Sequence, residues 1–243
     1  KGEDLEFTIE GNPDSFNEVN LDLFKSMGVN RISIGLQAWQ DSLLKEIGRI
    51  HNLEQFKKSY NLASTKGFKN INVDLMFGLP NQTVEQWRTT LQEVINLSPE
   101  HISCYGLIVE EDTKFCKLCE QGKLKLPEEN EEREMYKLAI DILEGNGYYQ
   151  YEISNFSRPG MECKHNLVYW NLDDYIGVGS NAHSYINRVR YSNEADISRY
   201  ISSINERGNA KVDSYANSTD DEMEEFVFMG LRKIKGISEK EFY

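Results

Sequence analysis

Apolar residues fall in short runs separated by polar stretches of helical spacing. LEFTIE, residues 5–10, reads as a strand. A polar stretch, GNPDSFNE, leads into a helix near 18–26, where Val19, Leu23 and Met27 recur four apart and line one face. Gly28 is its stop signal. A second strand is expected at 31–36, a short helix at 41–47, and a longer helix at 53–65 that ends before Gly67. The third strand covers 71–77. GLPNQT, residues 78–83, is a turn whose proline fixes φ. A helix follows at 84–96 and a fourth strand at 101–107.

This β-α rhythm predicts parallel strands covered by helices. The strands are rich in Ile, Val and Phe, as burial on both faces requires. No Gly-x-Gly-x-x-Gly follows a strand, so a dinucleotide-binding fold has no direct support. The expected fold class is α/β, a partial (β/α) TIM-like barrel with a mostly helical C-terminal extension. Residues 110–125 are polar and read as loop. A helix is expected at 128–144, a fifth strand at 148–156 (YYQYEISNF) and a turn at RPGMEC. Residues 165–185 mix aromatics, glycines and polar groups too irregularly for a plain helix. Residues 220–233 look helical, and GISE from Gly236 resembles the start of another small helical unit. The expected division is 1–185 for the barrel core and the motif region after it, and 186–243 for an accessory region.

The length of 243 residues, with 39% apolar and 28% charged positions, fits a globular protein with a substantial core. A net charge of −13 argues against a general phosphate-backbone binder, so nucleic acid is not an expected partner. No run of 18 apolar residues offers a membrane span, and the first residues lack an apolar signal core. The expected location is cytoplasmic. Cys104, Cys116, Cys119 and Cys163 do not suggest a disulfide scaffold. Cys116-Lys-Leu-Cys119 has metal-ligand spacing but lacks a partner pair, and two free thiols are the expected reading. The chain opens almost directly on a core strand, so an upstream part is expected to be missing.

Polar residues mark the strand ends. Glu10 ends the first strand, Gln37 lies just past the second, Asp74 sits inside the third and Tyr105 is near the end of the fourth. In a parallel barrel these ends share one mouth, where chemistry is placed. Arg49 can reach it from the following loop. An arginine fork matches a carboxylate, the acidic groups accept from ammonium or ribose hydroxyls, and glutamine does either. A purely structural alternative pairs Asp74 with Arg49 and leaves Glu10 to cap a helix, although such buried pairs are costly.

The phrases IEGNPDSF (9–16), ISIGLQAWQDSLLKEIGRIHN (32–52), NVDLMFGLPNQT (72–83), YGLIVEEDT (105–113) and YEISNFSRPGMECKHNLVYWNLDDYIGVGSNAHSY (151–185) cover most of the chain. Together they resemble the radical S-adenosylmethionine (SAM) proteins related to oxygen-independent coproporphyrinogen III oxidase. The resemblance implies that Glu10, Gln37, Arg49 and Asp74 help hold S-adenosylmethionine, with Ile108 close to the adenine. It also implies a 4Fe-4S cluster in the intact parent, held by a Cys-x-x-x-Cys-x-x-Cys loop. That loop has no counterpart in this sequence, so this chain is not expected to cleave S-adenosylmethionine by the usual route. The group includes true oxidases and haem-binding chaperones, and HNLVYW (165–170) resembles the chaperone motif. On that reading His165 is a haem-iron ligand through an imidazole nitrogen, and Tyr169 and Trp170 pack on the porphyrin. His183 is a second imidazole in the region, and Asn155 and Arg158 fix the preceding turn. The alternatives are loop anchoring by His165 and core packing by the two rings. The expected function is to bind haem and pass it to a recipient protein. The alternatives are oxidative decarboxylation of coproporphyrinogen and a non-catalytic scaffold.

Overall fold

A computed structural model describes residues 5–242. Contacts divide the chain into two compact units, one up to Glu162 and one from Cys163 onward. This division falls in the RPGMEC turn rather than at 185/186. The reason is pairing: the segment after Cys163 belongs with the later strands, through a bridge between Tyr175 and Tyr185 and a ladder from residues 183–186 to 189–193.

In the first unit, β1 (Thr8–Gly11), β2 (Arg31–Gln37), β3 (Ile71–Phe77) and β4 (His101–Gly106) pair in parallel and in chain order. Order 1-2-3-4 has no point where strand order reverses, so the sheet is singly wound in the manner of a barrel. The helices between the strands are α1 (Glu18–Met27), α2 (Asp41–Glu46), α3 (Leu53–Thr65) and α4 (Val84–Leu97). The stretch expected as loop at 110–125 contains a short helix, α5 (Lys114–Glu120), capped by the Thr113 hydroxyl. It buries no residue, so its sequence carries no apolar stripe. Helix α6 spans Glu129–Glu144. The single strand expected at 148–156 is instead an antiparallel hairpin, β5 (Tyr149–Glu152) and β6 (Asn155–Ser157), which extends the sheet beyond β4. Its turn, Ile153–Ser154, lacks the glycine or proline that marks most turns.

Strand alternation decides where the chemistry lies. Ile32, Ile34 and Leu36 of β2, Val73, Leu75 and Phe77 of β3, and Ile102 and Cys104 of β4 are buried in one core cluster. The same cluster takes Phe56 and Tyr60 from α3, Trp87 and Leu91 from α4, and Met135 and Leu143 from α6. The Trp87 indole N–H closes this layer by donating to the Met135 carbonyl at 2.8 Å. The other face is polar: Arg31 and Ser33, Asn72, then His101 and Ser103 are buried there. Burial on both faces holds as expected, but only one face is apolar. On α1 the face lined by Val19, Leu23 and Met27 is exposed, while Leu21 is buried and Phe24 packs against the core. The i, i+4 pattern was present but marks the outward face.

The second unit holds helices α7 (Lys164–Trp170), α8 (Ile197–Arg207), α9 (Thr219–Gly230) and α10 (Glu239–Phe242). Between them runs an antiparallel sheet, β7 (His183–Ile186), β8 (Val189–Asn193) and β9 (Lys211–Ala216). The helices match the expected extension, and the sheet adds to it. Its strands are half-exposed and weakly apolar, which left them without a sequence signal.

Candidate functional sites in the two units

Parallel pairing aligns Glu10 with Ser33, Ser33 with Asn72, and Asn72 with His101, and it aligns Gly35 with Asp74 and Asp74 with Ser103. In-register residues of parallel strands point to the same side, so these form two rows on the polar face. At the end of β2 the register shifts between Gly35 and Gln37, and Gln37 takes φ 72°. The bulge turns its amide back over the strand. A Cβ built on Gly35 would lie 2.8 Å from Gln37 Nε2, so the glycine makes room for the amide beside Asp74.

Asp74 accepts from Ser33 Oγ and from Asn72 Nδ2, each at 2.8 Å. Arg49 donates through Nη1 to Asn12 Oδ1 at 3.0 Å, which brings the guanidinium to the end of β1. No ion pair joins Arg49 to Asp74, and Glu10 is exposed without a hydrogen-bond partner among the described residues. The structural alternative of an Asp74–Arg49 pair with Glu10 as a cap is therefore not what these side chains form. The loop carrying Arg49 is held against β2 by buried His51, whose Nε2 lies 3.3 Å from the Leu36 carbonyl. Burial, with Arg49 adding to it, lowers the His51 pKa and favours the neutral ring. The Tyr105 hydroxyl is pushed up to about 12 by burial and by the Asp74 carboxylate, so it stays protonated at neutral pH. Ile108 is exposed beyond β4.

These side chains fit a polar ligand with hydroxyls and a charged end. An exposed carboxylate, a carboxylate fixed at both oxygens, a primary amide and a guanidinium line the strand ends, with Gly35 leaving room for the amide. Sequence reasoning missed Asn12, Ser33, Asn72 and His101. The signal was present: polar residues recur at every second position in RISIGLQ, INVDLMF and HISCYG. Cys104 and Cys163 are buried, burial pushes the Cys104 thiol up, and Cys116 and Cys119 lie on α5. Among the described residues no three His, Cys, Asp or Glu side chains converge to hold a metal ion.

In the second unit HNLVYW forms α7, a regular helical turn where irregular chain was expected. His165 is exposed in its first turn, and Tyr169 follows at i+4 on the same face. The rings meet edge-on at 4.9 Å, and His165 Nε2 lies 3.0 Å from the Tyr169 hydroxyl. Tyr169 in turn meets Tyr175 at 4.7 Å. Trp170 is half-buried under the Arg232 guanidinium at 5.2 Å, and its indole N–H has no partner among the described residues. Just past α7, Asn171, Leu172, Tyr185 and Lys233 help line a cavity of about 640 Å³. His183 is exposed on β7.

A family model described as the Radical SAM superfamily matches residues 1–94. The haem chaperone HemW of Bacillus subtilis is 43% identical over 237 residues, covering 98% of this chain and 62% of that protein. The haem chaperone HemW of Escherichia coli is 39% identical over 180 residues, 74% of this chain and 47% of that protein. Among solved structures, the Escherichia coli coproporphyrinogen III oxidase HemN, a radical SAM enzyme, matches with a TM-score of 0.79 at 26% identity, over 94% of this chain and 55% of that one. This chain thus spans less than two thirds of the relatives it matches. With the parallel sheet, its covering helices and these matches together, the chain is similar to HemW and HemN along most of its length, and its residues 1–94 match the radical S-adenosylmethionine superfamily.

Proposed function

We propose that this chain is part of a haem chaperone that binds haem through its second unit and passes it to a recipient protein. The observation that carries the reading is the 43% identity to a haem chaperone over 98% of the chain. It is supported by the exposed His165 in HNLVYW, an imidazole on the surface against the Tyr169 ring, which in turn meets Tyr175. Imidazole nitrogen is a common axial ligand of haem iron, and aromatic faces pack on porphyrins. In the first unit Glu10, Gln37, Arg49 and Asp74 would hold S-adenosylmethionine. In the intact parent a 4Fe-4S cluster would supply the electron for its cleavage. This chain's own residues bind and orient the adenosyl ligand and do not provide the cluster cage. The protein would act in the cytoplasm.

The test is an anaerobic haem titration followed at the Soret band, with His165→Ala and Tyr169→Phe beside the native chain. Saturable binding lost in His165→Ala is expected. Ligation through Nε2 must displace the Tyr169 hydroxyl, which lies 3.0 Å away. Tyr169→Phe keeps the ring and removes that competitor, so it should bind at least as tightly as the native chain, and up to about fivefold more tightly for a hydrogen bond of about 1 kcal/mol. Equal binding by the native chain and His165→Ala, both folded, would assign the iron elsewhere. A second reading, coproporphyrinogen oxidation, is favoured by the likeness to HemN. Turnover of coproporphyrinogen by the full-length protein would select it.

A further inference from the structure

Behind Asp74, on the polar face of the sheet, lies a line of buried groups that the strand-end motif does not include. Asn72 is 2% exposed and sits at its centre. Its Nδ2 lies 2.8 Å from both Asp74 Oδ1 and Ser33 Oγ. Its Oδ1 lies 2.6 Å from His101 Nδ1 and 3.2 Å from Ser103 Oγ. His101 is fully buried, and its Nε2 lies 2.8 Å from the Tyr151 hydroxyl.

The direction of every hydrogen bond follows from one fixed point. The Asp74 carboxylate accepts at both oxygens. Asn72 must therefore turn its NH₂ toward Asp74, which turns its carbonyl toward His101. His101 Nδ1 must then carry the proton. Burial and the Arg31 charge keep the ring neutral, so Nε2 is an acceptor and Tyr151 donates to it. Ser33 receives the second Asn72 hydrogen and donates its own to Asp74 Oδ2. A buried polar cluster is costly unless satisfied throughout, and barrel interiors are ordinarily filled by branched apolar side chains. Here the inner positions are polar and the bonds converge on both oxygens of one carboxylate.

We propose that His101 and Asn72 are positioning residues for the adenosyl-ligand grip: His101 holds the Asn72 amide in the one orientation that presents donors to Asp74, and so fixes the carboxylate that meets the ligand hydroxyls. This rests on the reading of Asp74 as part of that grip. Without the His101 donor the Asn72 carbonyl keeps only the longer 3.2 Å bond from Ser103 Oγ, so the amide, and with it the Asp74 carboxylate, is held less firmly.

The experiment pairs two readouts on the whole chain. Imidazole ¹⁵N resonances of the ligand-free protein report the His101 tautomer, and calorimetric titration with S-adenosylhomocysteine reports the grip. The Nδ1–H tautomer is expected. His101→Leu should weaken S-adenosylhomocysteine at least tenfold. His101→Asn, whose amide nitrogen takes the place of Nδ1, should return the affinity to within about threefold of native. An Nε2–H tautomer overturns the proposal without any variant, so it survives the case in which His101→Leu does not fold. Failure of His101→Asn to restore what a folded His101→Leu loses reduces His101 to a packing residue and overturns it too. Native binding that is lost in Asp74→Ala but kept in His101→Leu overturns the role of His101 and leaves the grip intact. No native binding overturns the grip itself, and this role with it.

Discussion

Gly35 shows how much one absent methyl group decides. A side chain there would sit 2.8 Å from the Gln37 amide, against 3.7 Å to the nearest backbone atom, the Gly11 carbonyl. The displaced group is the free end of a flexible side chain, so substitution moves the amide more than it strains the strand. Gly35→Ala is expected to leave thermal unfolding within a few degrees of native, because Gly35 has an ordinary strand φ and alanine gains slightly in unfolded-state entropy. It should nevertheless weaken S-adenosylhomocysteine, by about tenfold for the loss of one well-placed polar contact. Calorimetry beside a melting curve checks both halves. Undiminished binding would show that the Gln37 amide is not part of the grip, whatever the sequence likeness suggests.

At the scale of elements, the segment between α2 and α3 is a clamp for Arg49. Its first end is tied by the Arg49 N–H donating to the Leu44 carbonyl at 2.9 Å. Its second end is the capping box of α3, in which the Asn52 side chain accepts from the Gln55 N–H and the Gln55 side chain accepts from the Asn52 N–H, each at 2.9 Å. Asn52→Ala removes one arm and should cost about 1 kcal/mol in urea unfolding, with Asn52→Asp retaining most of it. An unchanged midpoint would mean that the helix end is held by its neighbours alone, for example by Asp41 Oδ1, which accepts from the Leu53 N–H at 2.8 Å. Elements of this kind were legible because apolar period and capping chemistry agree. The residues 71–77 were read as a strand to the residue, and the helix of 53–65 likewise. The hairpin of β5 and β6 was not legible, because its turn has ordinary residues and its polar positions face a buried network. His101, Asn72 and Ser33 were present in the sequence as a period-two polar pattern. What made them a site was the register that lines three strands up, and register is a property of paired strands rather than of any one of them.

Across the whole molecule, apolar burial is divided unevenly between the two units. Both hydrophobic clusters lie in the unit that ends at Glu162. From Cys163 onward the buried apolar side chains are Cys163, Tyr185 and Ala210 among those described. Burial of apolar surface is the main favourable term in folding, at roughly 25 cal/mol per Å², so the free energy of opening should differ between the units. The second unit relies more on polar contacts, such as Arg190 with Glu225 at 2.6 Å and Tyr185 with Glu222 at 3.0 Å. Partly buried pairs of this sort lose much of their gain to desolvation, so they do not replace a packed apolar core. Native-state hydrogen exchange tests the difference directly. The amides of β2, β3 and β4 are expected to exchange only through the largest openings, and those of β8 and β9 through smaller ones that salt further lowers by screening. Equal protection of β3 and β8 would locate a second core that apolar burial does not reveal. Faster exchange in the second unit would place HNLVYW, the segment proposed to meet haem, on the more readily opened part of the chain, while the sheet that carries Asp74 stays fixed.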